Sequence, residues 1–259
     1  MISLRGKSAI IFGSKRLGAI VAKRLSLEGV NLTLAYRNSK KQVSHLQREL
    51  IAKGGNVEIL RCDISSEKDV ISAVSESVNH MGDLQFIVNL ASEFPRTPYK
   101  SLNGESWDRA MEAAKGNYLV TLYGSRQMMG NVGKTKGHIV MFGDWAAGET
   151  PYLHYLPYLT SKASISFMNK VFALELSSQG ILVNAIAPGP TIRPEEMSKE
   201  IWDSKVISKT PLGRESSAEE IAELVVILLK SETITGEMIR VDSGRHLSGE
   251  GLSNRRGKM

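Results

Sequence analysis

Short apolar runs rich in β-branched residues alternate along this chain with longer segments whose apolar positions recur at helical spacing. The runs are 7–12 (KSAIIF), 31–36 (NLTLAY), 57–61, 85–89 (QFIVN), 137–142, 181–187 (ILVNAIA) and 237–241. Helical patterns lie between them at 17–28, 39–53, 66–80, 104–131, 158–178 and 217–229. Ser65-Ser66 ahead of Glu67, and Ser216-Ser217 ahead of Glu219-Glu220, carry the side-chain oxygens that start helices. Such alternation predicts parallel βαβ units, and so an α/β fold: a doubly wound sheet of about seven strands with helices on both faces. No Gly-, Pro- or Ser-rich linker divides the chain. We therefore expect one domain over 1–259, with a core of about 4–247 and a tail of about 248–259. The segment 191–210 has no readable period.

In doubly wound sheets ligands bind beyond the carboxyl ends of the strands, where the strand order reverses. The residues just after each run are thus the candidates. After the first comes Gly13-Ser14-Lys15-Arg16-Leu17-Gly18. Glycines there let backbone amides approach a pyrophosphate, and the next helix offers its positive end. A plain turn closing a strand would look similar. The second run ends at Tyr36-Arg37-Asn38, and no acid stands between Leu32 and Val43. An acid in this place would hold a ribose 2′-hydroxyl, whereas a 2′-phosphate needs cations. Arg37, backed by Lys15, Arg16, Lys40 and Lys41, favours NADP over NAD.

Further on stand Cys62-Asp63-Ile64, Asn89-Leu90-Ala91-Ser92, Asn117, Tyr158-Leu159-Thr160-Ser161-Lys162 and Asn184-Ala185-Ile186-Ala187-Pro188-Gly189. Tyr158 and Lys162 are four apart and share a helix face, and Pro157 suits the first turn of that helix. Tyr152 and Tyr155 have leucines at that offset. A phenol ionises near pH 10, and a neighbouring ammonium is expected to lower that value. Tyr158 is therefore the tyrosine expected to do chemistry.

These elements, in this order, resemble the short-chain dehydrogenase/reductase family from about residue 4 to residue 247, a family with a Rossmann-type fold. The resemblance implies that Tyr158 protonates the product of hydride transfer, that Lys162 also holds the nicotinamide ribose, and that Asn117 holds a water in a proton relay. It implies a cofactor site of Gly13, Ser14, Lys15, Arg16, Leu17, Gly18, Tyr36, Arg37, Asn38, Asp63, Ile64, Asn89, Ala91, Pro188, Gly189 and Thr191, besides Tyr158 and Lys162. It also implies a homo-tetramer built through the long helices at 104–131 and 158–178.

Two departures narrow the resemblance. The usual G-x-x-x-G-x-G is altered: anchored on Gly13 the loop is one residue short, and anchored on Gly18, Arg16 replaces the middle glycine and Phe12 the first. Asp144 stands where most members place a catalytic serine. The pteridine reductase branch is similar to this chain at both places, and also at Ala91-Ser92-Glu93-Phe94-Pro95 and Thr210-Pro211-Leu212-Gly213-Arg214. By that resemblance Phe94 stacks on a pterin, Ser92 bonds nearby, and Asp144 and Tyr158 face the substrate. Phe94 could equally anchor its loop in the core. A carbonyl reductase with another substrate, or an NADP-binding sensor, remains open.

Composition adds exclusions. A hydrophobic fraction of 42% supports a sizeable core. The net charge of +6 comes from 33 basic and 27 acidic residues dispersed along the chain, so neither nucleic acid nor a membrane is expected as a partner; a small molecule is. The basic tail Arg255, Arg256 and Lys258 reads as a frayed terminus. One cysteine, Cys62, excludes an internal disulfide and a cysteine metal cluster, and no metal is expected. The longest late apolar run, 224–229, is too short to span a bilayer, which suggests a cytoplasmic protein.

Overall fold

A computed structural model describes residues 1–248. Its sheet follows the hydrophobic runs: β1 (Ser8–Phe12), β2 (Asn31–Tyr36), β3 (Val57–Arg61), β4 (Leu84–Asn89), β5 (Gly137–Phe142), β6 (Ile181–Pro188) and β7 (Met238–Val241). Its longer helices are α1 (Leu17–Leu27), α2 (Lys40–Ala52), α3 (Glu67–Met81), α4 (Gly104–Met128), α5 (Leu156–Leu176), α6 (Lys199–Lys205) and α7 (Ala218–Lys230). The seven strands form one sheet in the order β3-β2-β1-β4-β5-β6-β7, and every neighbouring pair is parallel. The strand order turns between β1 and β4, so the expected crevice lies beyond Phe12 and Asn89. The basic tail and most of the expected flexible C-terminus fall outside the described residues.

Alternation along the strands sends successive side chains to opposite faces. Ala9 and Ile11 of β1 join a core with Val21, Leu25, Val43, Leu46, Ile221 and Val225 from α1, α2 and α7. Ile10 and Phe12 face the other core, with Val70, Val74, Val120 and Ile165 from α3, α4 and α5. The caps read from sequence form: Ser66 accepts from Asp69 N–H, and Ser217 from Glu220 N–H. The tyrosine-bearing helix starts two residues earlier than its pattern predicts, at Leu156, with Pro157 in its first turn.

Within 191–210 the structure forms α6, which the hydrophobic pattern does not announce. Ser198 caps it by accepting from Ile201 N–H, and Trp202 is its one buried side chain. A short helix with a single buried position has no visible period. Among the described residues no helix is long and apolar enough to cross a membrane.

Candidate active site

A cavity of about 650 Å³ opens at the crevice beyond β1 and β4. Gly13, Lys15, Arg16, Leu17 and Gly18 line one wall; Tyr36, Arg37, Asn38, Asp63 and Ile64 line the part beyond β2 and β3. Ala91, Ser92, Phe94, Lys162 and Pro188 complete the expected residues along it. Three further charged side chains, Glu93, Arg109 and Glu112, line the same space.

The glycine loop is tight because the chain passes close to itself. A Cβ on Gly13 would lie 2.7 Å from Ala91 N, and one on Gly18 would lie 2.1 Å from the Gly13 carbonyl oxygen. Gly13 also has φ +83°, where a side chain would be strained. Arg16 has φ 51° and ψ −116°, a conformation that belongs to glycine. The glycine-like backbone thus stays at the position of the family's middle glycine although the residue is arginine. Its guanidinium donates to the carbonyls of Ile192 at 2.9 Å and Arg193 at 3.5 Å, tying the loop to the segment that follows β6. Ser14 is turned inward instead, with Oγ donating to the carbonyls of Ile11 and Ala35 at 2.8 and 3.2 Å. Only its backbone remains for a ligand.

Two buried amides stand behind the cavity. Asn89 Oδ1 accepts from Ala91 N–H at 3.1 Å, while its Nδ2 has no protein partner. Asn117 Nδ2 donates to the Ala113 carbonyl at 2.9 Å, and its buried Oδ1 is left without one. α4 runs through Asn117 without interruption, so this residue does not break the helix. A buried, unpartnered acceptor is costly and marks a place for a donor, such as the water of a proton relay. Gly189 is held where a Cβ would be 2.5 Å from Asp242 Cα. Thr191 lies outside this cavity and lines a second one with Ile192 and Arg193.

The chemical end is built on β5 and α5. Asp144, just beyond β5, is only 8% exposed. Its Oδ1 accepts from Ala146 N–H at 2.9 Å, and its Oδ2 accepts from the Tyr158 hydroxyl at 2.9 Å and the Tyr152 hydroxyl at 3.3 Å. Lys162 is buried, donates to the Phe142 carbonyl at 2.8 Å, and lies 5.8 Å from the Tyr158 ring centroid. Burial pushes the Lys162 ammonium down to about 8, against which Asp144 pulls it up. Burial raises the Asp144 carboxyl above the usual carboxylate range, although the Ala146 amide, Tyr158 and Lys162 oppose this.

One expectation is corrected here. The Tyr158 phenol is not lowered by its lysine; burial first, and then the Asp144 charge, raise it well above its ordinary value. The ammonium is engaged with the end of β5, while the phenol faces a carboxylate. The proton is therefore held on Tyr158 and aimed at Asp144. The i, i+4 spacing gives a shared face, but it is burial and the third group that set the phenol's acidity.

Aromatic rings enclose this centre. Phe94 stacks on Tyr155 with centroids 4.4 Å apart and meets the Tyr158 ring edge-on at 4.8 Å. Trp145 stacks on Tyr152 at 5.7 Å. Phe94 is 57% exposed, so it is not a core anchor. Tyr152 and Tyr155, without a lysine partner in sequence, are brought in as a second hydroxyl on Asp144 and as a stacking ring. Ser92 Oγ donates to the neighbouring Glu93 carbonyl at 3.0 Å.

Arg37 proves not to be a bare cation. Its guanidinium bonds Glu93, and Glu112 and Asp63 approach it at 3.5 and 4.0 Å. These acids come from β3–α3, the loop after β4, and α4, so no window around Arg37 contains them. Cys62 is buried and its thiol is pushed up to about 12, as befits a structural thiol. Among the described residues no three His, Cys, Asp or Glu side chains gather as metal ligands.

Comparison with known proteins agrees with this geometry. Residues 13–246 match the family model described as enoyl-(acyl carrier protein) reductase. A glucose 1-dehydrogenase of Gluconobacter oxydans is 31% identical over 258 residues, covering 96% of this chain and 95% of that protein. A short-chain dehydrogenase/reductase from Serratia marcescens superposes with a TM-score of 0.87 at 27% identity, covering 95% of this chain and all (100%) of that one. FolM alternative dihydrofolate reductase 1 from Brucella suis, solved with NADP, superposes with a TM-score of 0.86 at 25% identity, covering 95% of this chain and 97% of that one.

Proposed function

The chain belongs to the short-chain dehydrogenase/reductase family of NAD(P)-dependent oxidoreductases, and on that premise we propose that it is an NADPH-dependent reductase of a pterin-like, dihydropteridine ring. The observation that carries the substrate class is Asp144: a buried carboxylate in the family's serine place, bonded to two tyrosine hydroxyls and walled by Phe94 and Tyr155. A flat heterocycle with N–H donors on its edge suits an aromatic face beside a buried acceptor, whereas a serine hydroxyl offers no charge to such an edge. The superposition on a Brucella FolM dihydrofolate reductase supports the same reading.

The residues present fit a nicotinamide dinucleotide. Glycines at 13 and 18 let the loop fold tightly against itself and the strand end after β4, and α1 begins immediately beyond it. Arg37 would hold the 2′-phosphate, with Lys15 and Arg16 nearer the pyrophosphate. The reduced nicotinamide, when bound, supplies the hydride. This chain's residues do the rest. Tyr158 delivers the proton from its hydroxyl to the ring nitrogen of the reduced bond, and Lys162, on the same helix face, would hold the nicotinamide ribose. Asn117 positions the water through which Tyr158 is reprotonated. Asp144 anchors the substrate edge and accepts from the Tyr158 and Tyr152 hydroxyls. Burial of this trio excludes bulk water and strengthens each interaction.

A carbonyl reductase is the second reading, favoured by the glucose dehydrogenase relative. Calorimetry on the NADP-loaded protein separates the two. A pterin or a diaminopteridine antifolate should bind and compete with substrate in NADPH-oxidation assays. No heat from any of these ligands leaves only the broader reductase assignment. We also assign a homo-tetramer to α4 and α5, whose Tyr118, Phe167, Val171 and Leu174 expose apolar surface without cover. Light scattering of the full chain tests it: a monomer would refute the assignment.

A further inference from the structure

The end of the cavity beyond β2 contains a charge cluster assembled from four separate parts of the chain. Glu93 bridges two arginines: Arg37 at the end of β2, and Arg109 on α4, whose Nε and Nη2 donate to Glu93 Oε2 at 2.8 and 2.6 Å. Glu112 and Asp63 flank Arg37 more loosely. Two cations thus face three anions, so an approaching phosphate meets no surplus of positive charge. The Arg37 and Glu93 side chains are 36% and 37% exposed, which leaves both open to exchange of partners.

A carboxylate seated between two guanidinium forks occupies the geometry that a phosphate monoester would take, since both present planar or fanned oxygens to paired N–H donors. We infer that Glu93 is an internal surrogate for the cofactor's 2′-phosphate, occupying its arginines and leaving when the phosphate arrives. Glu93 is then a specificity-determining residue, because it lowers the affinity of the protein for a 2′-phosphorylated ligand without affecting one that lacks the phosphate. Glu112 is the built-in comparison. It also approaches Arg37, but it does not bridge to Arg109. This inference rests on the reading that the preferred cofactor carries a 2′-phosphate.

The test needs no turnover. Adenosine 2′,5′-bisphosphate and adenosine 5′-monophosphate are titrated calorimetrically into the full chain, its Glu93→Gln variant and its Glu112→Gln variant, each checked for an unchanged melting temperature. Displacing a half-exposed ion pair is worth a few-fold, so Glu93→Gln should tighten the bisphosphate by about fivefold and leave the monophosphate unchanged. Glu112→Gln should gain clearly less. An equal gain in both variants would mean a diffuse field, and would overturn the surrogate; so would an unchanged ratio, or a parallel weakening of both ligands in Glu93→Gln. If the unaltered chain prefers the bisphosphate strongly and Glu93→Gln changes nothing, the surrogate fails while the NADPH reading stands. If the unaltered chain shows no preference and Glu93→Gln creates one, the surrogate stands and the NADPH reading of the unaltered chain fails.

Discussion

At one end of the cavity, Arg37, Glu93 and Glu112 are about one-third to one-half exposed, paired by charge and drawn from separate parts of the fold. Beyond β5, Asp144, Tyr158 and Lys162, of which Lys162 lines the cavity, are each less than one-tenth exposed and are held by hydrogen bonds at near-ideal distances. Water screens the first group, so its pairs are individually weak and exchangeable. Burial strengthens interactions in the second, where the Asp144 charge raises both the Tyr158 phenol and the Lys162 ammonium. The first end suits recognition by competition, and the second suits proton transfer. Substitutions should therefore have graded effects at the first end and large, coupled effects at the second.

The largest effects should come from Tyr158→Phe and Asp144→Ala. General acid catalysis contributes about 10²- to 10⁴-fold, so turnover of Tyr158→Phe should fall by that order while NADPH binding is nearly intact. Tyr152→Phe, which removes the weaker hydroxyl on Asp144, should cost far less. Greater damage from Tyr152→Phe in a folded protein would assign the chemistry to the wrong ring.

Asp144→Ala should abolish dihydropterin reduction at saturating NADPH. It should also bring the Tyr158 phenol down towards its ordinary range, since the Asp144 charge is one of the causes that raise it. Ultraviolet titration of the phenolate reads this directly. Retained ketone reduction in Asp144→Ser, without antifolate binding, would favour the carbonyl reading instead.

The pH dependence follows from Lys162. Burial has lowered it to about 8, so its ammonium is present below that pH and lost above it. The kcat/KM for reduction should fall as pH rises through about 8. An unperturbed lysine would sustain the rate to about 10.4, and a profile flat to that point would contradict the buried geometry.

At the charged end, Arg37→Asp should weaken NADPH binding by about tenfold and spare NADH, consistent with about 1.5–3 kcal/mol for a charge-assisted bond less the competition from Glu93. Equal affinity of the unaltered chain for both cofactors would remove the basis of this prediction. The smallest effect is expected at Phe94→Ala: a raised KM with little change in kcat, worth about 0.5–1.5 kcal/mol beyond lost area.

Local pattern was enough for the strands, most helices and the succession of strand-end motifs. Period-2 and period-3.6 burial is written into neighbouring residues, and a parallel sheet has to place those motifs at one edge. Tyr158 and Lys162 were legible because four residues make a helix turn, and Gly13 and Gly18 because the turn they form is local. Tertiary structure decided what the motifs meet. It turned Ser14 inward, placed Thr191 in another cavity, and gave Lys162 the Phe142 carbonyl as partner. It set Tyr158 against Asp144, raising the phenol that the helix spacing alone would lower. It also brought Glu93 and Glu112 to Arg37, where the chain near Arg37 shows no acid. Charge and burial depend on distance in space, and residues 56 and 75 positions beyond Arg37 in the chain can be its nearest ions.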